Sequence, residues 1–364
     1  MAKFLIAGAG IAGLSAAIAL LRTGHTVTIW EQAAELSEVG AGIQLGPNAM
    51  HILQSWGLGK ALLELGCEPI SLVVRDARND HVLSTRRLDD AQTRYGAPYI
   101  CIRRSDLQQV LLDAVMNAGV DLRLGQKFDA AFATGYDAVL GCDGLHSLVR
   151  EQVLENTKHS GKPRASGHTA YRAMIDMAML PMDLRAMNVQ VWLDDKRHVV
   201  AYPVNHQQLN VVIAQEGMPT LAQPTSATLH TLIAAIDMQD GFSEWPLFDR
   251  PAMLHPKFYA KGYVALLGDA AHPMRPYLAQ GAAMAIEDAQ ALGQAFTSQP
   301  NVDKALQAYA KARWRRNARV QWQSRLNGYV FHASGVVRVM RDAALRVTGE
   351  RVTAMPWLYS YPSS

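Results

Sequence analysis

Gly8, Gly10 and Gly13 stand at GxGxxG spacing between an apolar run, Phe4 to Ile6, and an alanine- and leucine-rich stretch that reaches Leu21. That order predicts a strand, a tight turn and a helix. Gly8 permits the sharp turn, Gly10 lets the backbone approach a pyrophosphate, and Gly13 lets helix and strand pack closely. The N–H groups at the helix start then face the phosphate charge. A second strand, Thr26 to Trp30, ends in Glu31, eighteen residues after Gly13 and placed to hold a ribose hydroxyl pair. Asp143-Gly144 closes another predicted strand, Tyr136 to Gly141, at the end where open α/β sheets bind ligands. His198 and Tyr202 lie four apart in a predicted strand, so they share a face with Val200 between them. An imidazole with an ordinary pKa of about 6.5 suits general-base work, and a phenol can hydrogen-bond a ligand hydroxyl.

These groups need elements to position them. Glycines precede Ile43 in the loop from Gly40 to Asn48, which suggests backbone lying against a flat ligand, with Gln44 next to it. Pro47 suits the opening of a helix to Trp56, and residues 70–85 alternate as a strand pair. Ser105 reads as the cap of the next helix, on which Arg104 and Gln108 stand about a turn apart and could reach one ligand together. Val120 to Leu124 reads as a strand and Leu145 to Leu154 as a helix. From His168 the grammar changes to short strands without intervening helices (Thr169–Met177, Val189–Leu193, His198–Pro203 and Leu209–Gln215), implying a mostly antiparallel sheet inserted over 166–255. The apolar run from Gly262 to Gly268 returns to the parallel sheet, and long helices follow over Gly281–Phe296 and from Val302 to about Gln323. Lys304 to Arg325 carries seven basic residues and no acid, which reads as the wet side of an amphipathic helix packed through Leu306, Tyr309 and Val320.

Composition narrows the class. At 364 residues the chain suits two intimately joined domains, and 49% hydrophobic with 18% charged residues describes a soluble globular protein. A net charge of +3 is too small to argue for nucleic acid. Cys67, Cys101 and Cys142 are scattered, without disulfide or zinc spacing, so no metal is expected and a reducing cytoplasm fits best. The N-terminal apolar run holds three glycines and no convincing cleavage site, against a signal peptide, and nowhere do about 18 uninterrupted apolar residues predict a membrane span. Oligomeric state is not legible.

Three separated signatures line up: Gly8/Gly10/Gly13 with Glu31; Gly141-Cys-Asp143-Gly-Leu-His-Ser147-Leu-Val-Arg150; and Gly268-Asp269-Ala-Ala-His-Pro273 leading into Gly281-Ala-Ala-Met-Ala-Ile-Glu287-Asp288. Together they resemble the single-component FAD-dependent aromatic hydroxylases over nearly the whole chain. Asn327-Gly-Tyr-Val-Phe-His332 and Trp357-Leu-Tyr359 look like the salicylate, hydroxybenzoate and hydroxynicotinate hydroxylase branch. The resemblance implies an α/β fold: a Rossmann-like FAD-binding domain, an inserted mostly antiparallel substrate sheet and C-terminal helices. Its implied bounds are 1–165 for the first part of the FAD-binding domain, with a substrate-domain excursion near 68–95, then 166–255 for the substrate sheet, 256–300 for the return and 301–364 for the helices.

Carried across, the likeness implies that Gly8, Gly10, Gly13 and Glu31 hold the ADP half of FAD, with Arg104 and Gln108 helping at pyrophosphate and ribose. Asp143 belongs to a motif associated with FAD and NAD(P)H, Asp269 would hold the ribityl chain, and backbone from Pro276 through Gly281 to Ala282 would face the isoalloxazine. The implied reaction uses NADH or NADPH and O2 to hydroxylate a phenol or aromatic acid through a C4a-hydroperoxyflavin. His198 would deprotonate the substrate and Tyr202 would hydrogen-bond its hydroxyl. Gln44 and Tyr277 are candidates for the pocket wall, and Arg275 or Arg172 for a substrate carboxylate. His272 reads as part of a turn. A flavin oxidase or reductase, a ubiquinone-pathway hydroxylase, or a non-catalytic NAD-sensing module remain open alternatives. The segment from Leu124 to Asp137 is shorter than in most relatives, which usually place a hairpin there.

Overall fold

The computed structural model describes residues 1–36, 41–155, 157, 159, 161–217, 223–350 and 354–360. Gly40, at the start of the loop before Ile43, lies outside them.

Strand Lys3–Ala7 is apolar on both faces because both are covered: Phe4, Leu5 and Ile6 are fully buried. It pairs in parallel with Thr26–Trp30 on one side and with Ala138–Gly141 on the other. Asp121–Arg123 and Val264–Leu266 extend the sheet in parallel, and Ala260–Lys261 closes one edge antiparallel. Successive strands are therefore laid first to one side of Lys3–Ala7 and later to the other. A crevice opens where that order reverses, beyond the carboxyl ends of the strands. Helix Ile11–Arg22 packs against helix Gly281–Ser298, with Gly293 bringing the second helix onto Ala19.

The second sheet has seven strands, in the order Ser243–Asp249, Arg164–Asp176, Gln208–Glu216, Arg197–Pro203, Asn188–Asp194, Ser71–Asp76 and Val82–Arg87. Only the pair Asn188–Asp194 with Ser71–Asp76 is parallel. Period two divides its side chains. Trp192, Val199, Ala201, Val211 and Ile213 form one packed face under Leu229, Leu232 and Ile236 of helix Ala227–Asp237. Val191, His198, Val200, Tyr202 and Val212 turn the other way, toward the first sheet. A two-stranded ribbon, Gly42–Leu45 with Ile100–Arg103, joins the layers, and Gly42 N donates to Asn210 Oδ1 (2.8 Å).

Three local expectations change. Ser105 does not cap its helix. Antiparallel pairing carries the strand to Arg103 and Arg104 N donates to Ala41 O, so the helix Arg104–Asn117 starts two residues earlier with extended Arg103 as its cap. The insertion is not free of helices, since Ala227–Asp237 covers the packed face of the sheet, capped by Ser226. The basic stretch is not simply a wet face: in the 30-residue helix Val302–Phe331, Arg313 is fully buried and Arg316 and Arg325 also turn inward to acids. Among the described residues no helix is long and apolar enough to cross a membrane.

Candidate active site

The glycine turn is built as its spacing requires. Gly8 has φ +101°, and a Cβ on Gly13 would lie 1.9 Å from Gly8 O, so helix and turn touch directly. A Cβ on Gly10 would meet nothing within 4 Å, and Gly10 lines the open cleft. Glu31 accepts from Ala9 N (2.8 Å) and Ala33 N (2.9 Å), which fixes its carboxylate at the mouth of the turn. Gln108 Nε2 donates to Ala9 O (3.1 Å), while its Oε1 is buried with no partner among the described residues. Asp143 accepts from Leu148 N (2.7 Å) through Oδ2, and its Oδ1 is likewise buried and unpartnered. Burial raises the Asp143 pKa, opposed by hydrogen bonds from Ser147 and nearby backbone.

Opposite this turn stands the second wall. Gly268–Ala270 is a short 3-10 turn that presents Asp269 to the cleft. Burial among protein raises the Asp269 pKa, with His272 and Arg104 pulling it down. Asp288 holds that turn from behind: it accepts from Gly268 N (3.0 Å), His272 Nε2 (2.5 Å), Arg313 Nε (2.7 Å) and Asn317 Nδ2 (3.0 Å). His272 is thus a buried structural partner of Asp288. Beyond it, Pro276–Leu278 and Ala279, a non-glycine residue at φ +51°, lead into the helix Gly281–Ser298. That helix has no acid in its first turn and no side-chain cap, leaving its positive end to the cleft.

The cleft continues under the seven-stranded sheet as one cavity of about 720 Å³. Gly10, Ile43, Arg104, Asp269, Pro276, Gly281 and Ala282 line it together with Gln44, Arg172, His198, Tyr202 and Tyr277. Gln44 accepts from Tyr99 Oη (2.6 Å). Burial raises the Tyr202 pKa far above that of an ordinary phenol, so its hydroxyl keeps its proton. His198 is buried, its Nδ1 lies 2.8 Å from His332 Nε2, and burial followed by the imidazoles of His332 and His168 lowers its pKa well below 6.5. Arg275 Nη1 donates to His168 Nε2 (3.3 Å), so the Nδ1 of neutral His168 carries the proton toward Tyr277 Oη (2.9 Å).

Of the two candidate arginines, one departs from expectation. Arg275 does not line the cavity: its guanidinium is drawn to Asp249 (3.3 Å), which Arg325 also holds (2.7 Å). Arg172 does line it, with its guanidinium 5.3 Å from the Trp245 ring centroid. Residues missed in the sequence are Arg86, a buried guanidinium on the cavity wall 5.4 Å from the Tyr359 ring centroid, and His332. Arg86 carries no local motif. His332 ends the Asn327–His332 stretch quoted above, and its proximity to His198 depends on a 30-residue helix crossing the sheet.

A glycine turn with an acid at its mouth, a second acid on a facing turn and an open helix start make a cleft suited to a dinucleotide. Residues 1–140 and 136–324 match the family model described as "FAD binding domain". The chain is 34% identical over 394 residues to a 3-hydroxybenzoate 6-hydroxylase of Polaromonas naphthalenivorans (strain CJ2), covering 98% of this chain and 95% of that one. It is 32% identical to a 6-hydroxynicotinate 3-monooxygenase of Pseudomonas fluorescens, covering 88% and 89%. The crystal structure of Klebsiella pneumoniae HpxO complexed with FAD and uric acid superposes with a TM-score of 0.82 at 25% identity, covering 96% of this chain and 94% of that one. The chain belongs to this FAD-binding family of aromatic-ring monooxygenases, and FAD is its cofactor. The cleft fits that cofactor: Gly10, Arg104, Asp269 and the uncapped start of helix Gly281–Ser298 line one cavity, and a Cβ on Gly10 would meet nothing within 4 Å, which leaves room for a ligand against the backbone.

Proposed function

We propose that this enzyme uses NAD(P)H and O2 to hydroxylate a small aromatic or N-heteroaromatic acid that carries a ring hydroxyl. FAD supplies the oxygen-transfer chemistry; the protein orients the ring, excludes water and raises its electron density. The carrying observation is that His198 and Tyr202 share one cavity with Asp269 and the open start of helix Gly281–Ser298. In this reading Gly8, Gly10, Gly13, Glu31, Arg104 and Gln108 hold the adenosine and pyrophosphate, Asp269 the ribityl chain, and the Pro276–Ala282 backbone with Ile43 the ring system. His198, neutral in its buried setting, takes the proton of the ring hydroxyl through Nε2, since Nδ1 is engaged with His332. Tyr202 donates a hydrogen bond to the oxygen that is left, and Gln44 and Tyr277 close the wall. Arg172 and Arg86 are the guanidinium groups on the wall suited to a carboxylate. The three cysteines are free and buried, in keeping with a reducing cytoplasm.

The test is a panel of hydroxybenzoates, hydroxynicotinates and their amides scored for acceleration of NADH and NADPH oxidation, with mass analysis of products. Accelerated oxidation with a product one oxygen heavier supports the reading. Oxidation that yields only stoichiometric peroxide across the panel would favour a flavin oxidase.

A further inference from the structure

We propose that His332 is the second station of a proton path that begins at His198 and leaves the protein beside Glu216. The proposal rests on the reading of His198 as the base. A base in that position has a difficulty to solve. It is buried in an apolar wall, next to two other imidazoles, where an imidazolium is poorly tolerated. A proton accepted there needs an exit.

Four elements meet to provide one. His198 stands in the strand Arg197–Pro203, and His332 ends the helix Val302–Phe331. His168 and Glu216 face each other in register across two neighbouring strands. His198 Nδ1 and His332 Nε2 are 2.8 Å apart. His332 Nδ1 is buried with no hydrogen-bond partner among the described residues. One ring nitrogen of His332, one of His168 and a carboxylate oxygen of exposed Glu216 lie within 4.8 Å of one another, a gap that one water spans. The backbone fixes this arrangement: Lys196 N donates to His332 O (3.2 Å) and Glu216 N to Lys196 O (2.9 Å). The other titratable and charged groups facing the cluster are Tyr277 and Arg275 from the loop before the helix Gly281–Ser298, and Arg341 from the helix Gly335–Thr348. Burial first, then His168 and both arginines, disfavour a resting positive charge on His332 and together lower its pKa to about 3.

Transfer therefore proceeds by exchange of tautomers, without a resting cation. The substrate O–H bond breaks as His198 Nε2–H forms, and the His198 Nδ1–H bond breaks as His332 Nε2–H forms. His332 then gives its Nδ1 proton to the Glu216 carboxylate or the water beside it. One proton moves from ring hydroxyl to solvent, the substrate keeps the electron pair as its phenolate, and nothing is oxidised or reduced.

The experiment is stopped-flow mixing of the FAD-loaded enzyme with 3-hydroxy-4-nitrobenzoate, whose phenolate is coloured, while a pH-indicator dye records proton release. His332→Gln is expected to bind the probe with unchanged Kd but to release the proton at least tenfold more slowly. Added imidazole is expected to restore the rate in His332→Ala, and Glu216→Gln to slow release and shift its pH profile. Wild-type release rates in both His332→Gln and Glu216→Gln would overturn the path. If His198→Gln slows release while those two do not, the base stands and the path falls; if His198→Gln is also unaffected, the base reading itself fails. Should His332→Gln lose its flavin, the Glu216→Gln rate and pH profile decide.

Discussion

At the scale of residues, the cavity wall divides labour among groups that burial has kept neutral and groups that it has not. His198→Ala is expected to lower kcat/KM by about 10²- to 10⁴-fold, the usual worth of a positioned base, with the loss smallest at high pH where the substrate ionises by itself. Steady-state pH profiles check this; an unchanged profile removes the role. Arg86→Met is expected to raise KM for an aromatic acid about 10- to 100-fold and leave that of its amide nearly unchanged, as for a charged hydrogen bond of about 1.5–3 kcal/mol. His198 and Tyr202 were legible because period two in a strand is a local rule that tertiary structure seldom overrides. Arg275 misled for the opposite reason. Its partner Asp249 lies 26 residues away in an edge strand, and the sequence does not show which strand end meets which loop.

Among elements, the helix Val302–Phe331 clamps the Gly268–Ala270 turn through the acids of helix Gly281–Ser298. Arg313 bridges Glu287 (2.8 Å) and Asp288 (2.7 Å), Arg316 doubles the contact to Glu287 (2.6 Å), and Asn48 donates to it from the other side (2.7 Å). Asp288 in turn holds the turn that carries Asp269. Removing one partner leaves buried charge uncompensated, so Arg313→Ala is expected to cost about 3–5 kcal/mol and to release FAD, read as a lowered melting temperature and loss of bound flavin absorbance. A melting temperature and flavin content equal to wild type would show that the clamp does not hold. The basic run that marks this helix predicts a solvated face because charge usually stays in water. Its inward arginines are understood only once Glu287 and Asp288 are seen to point out of the neighbouring helix at the same level. The parallel sheet and glycine turn were readable to within a residue or two because short-range patterning dictates them. The helix Ala227–Asp237 was not, although Ser226 marks its start, because a run of strands on both sides masks a single helical stretch.

For the whole molecule, two sheets enclose one cavity, and His198 on its wall and His332 behind it are folded in the neutral state. Burial holds the pKa of His198 and His332 below the unfolded value of about 6.5. The unfolded chain then binds more protons than the native one at acid pH. Stability is thus expected to fall as pH drops below about 6.5, by up to about 1.4 kcal/mol per pH unit for each such histidine. Denaturant titrations between pH 7 and 5 read the slope, and His332→Gln is expected to flatten it; an unchanged slope in the variant would place the titration elsewhere. Asp288 acts in the same sense but in a lower pH window. His272 and Arg313 outweigh burial and hold its pKa below the usual carboxylate range, so its contribution is complete above about pH 4 and fades only as pH falls further.

The most direct measurement is turnover of the FAD-loaded enzyme with 3-hydroxybenzoate or 6-hydroxynicotinate and NAD(P)H under ¹⁸O2. Incorporation of a single ¹⁸O atom into the ring product, abolished or strongly slowed in His198→Ala, is the expected result. An unlabelled ring with all of the oxygen recovered as peroxide, from both substrates and in both proteins, would contradict it.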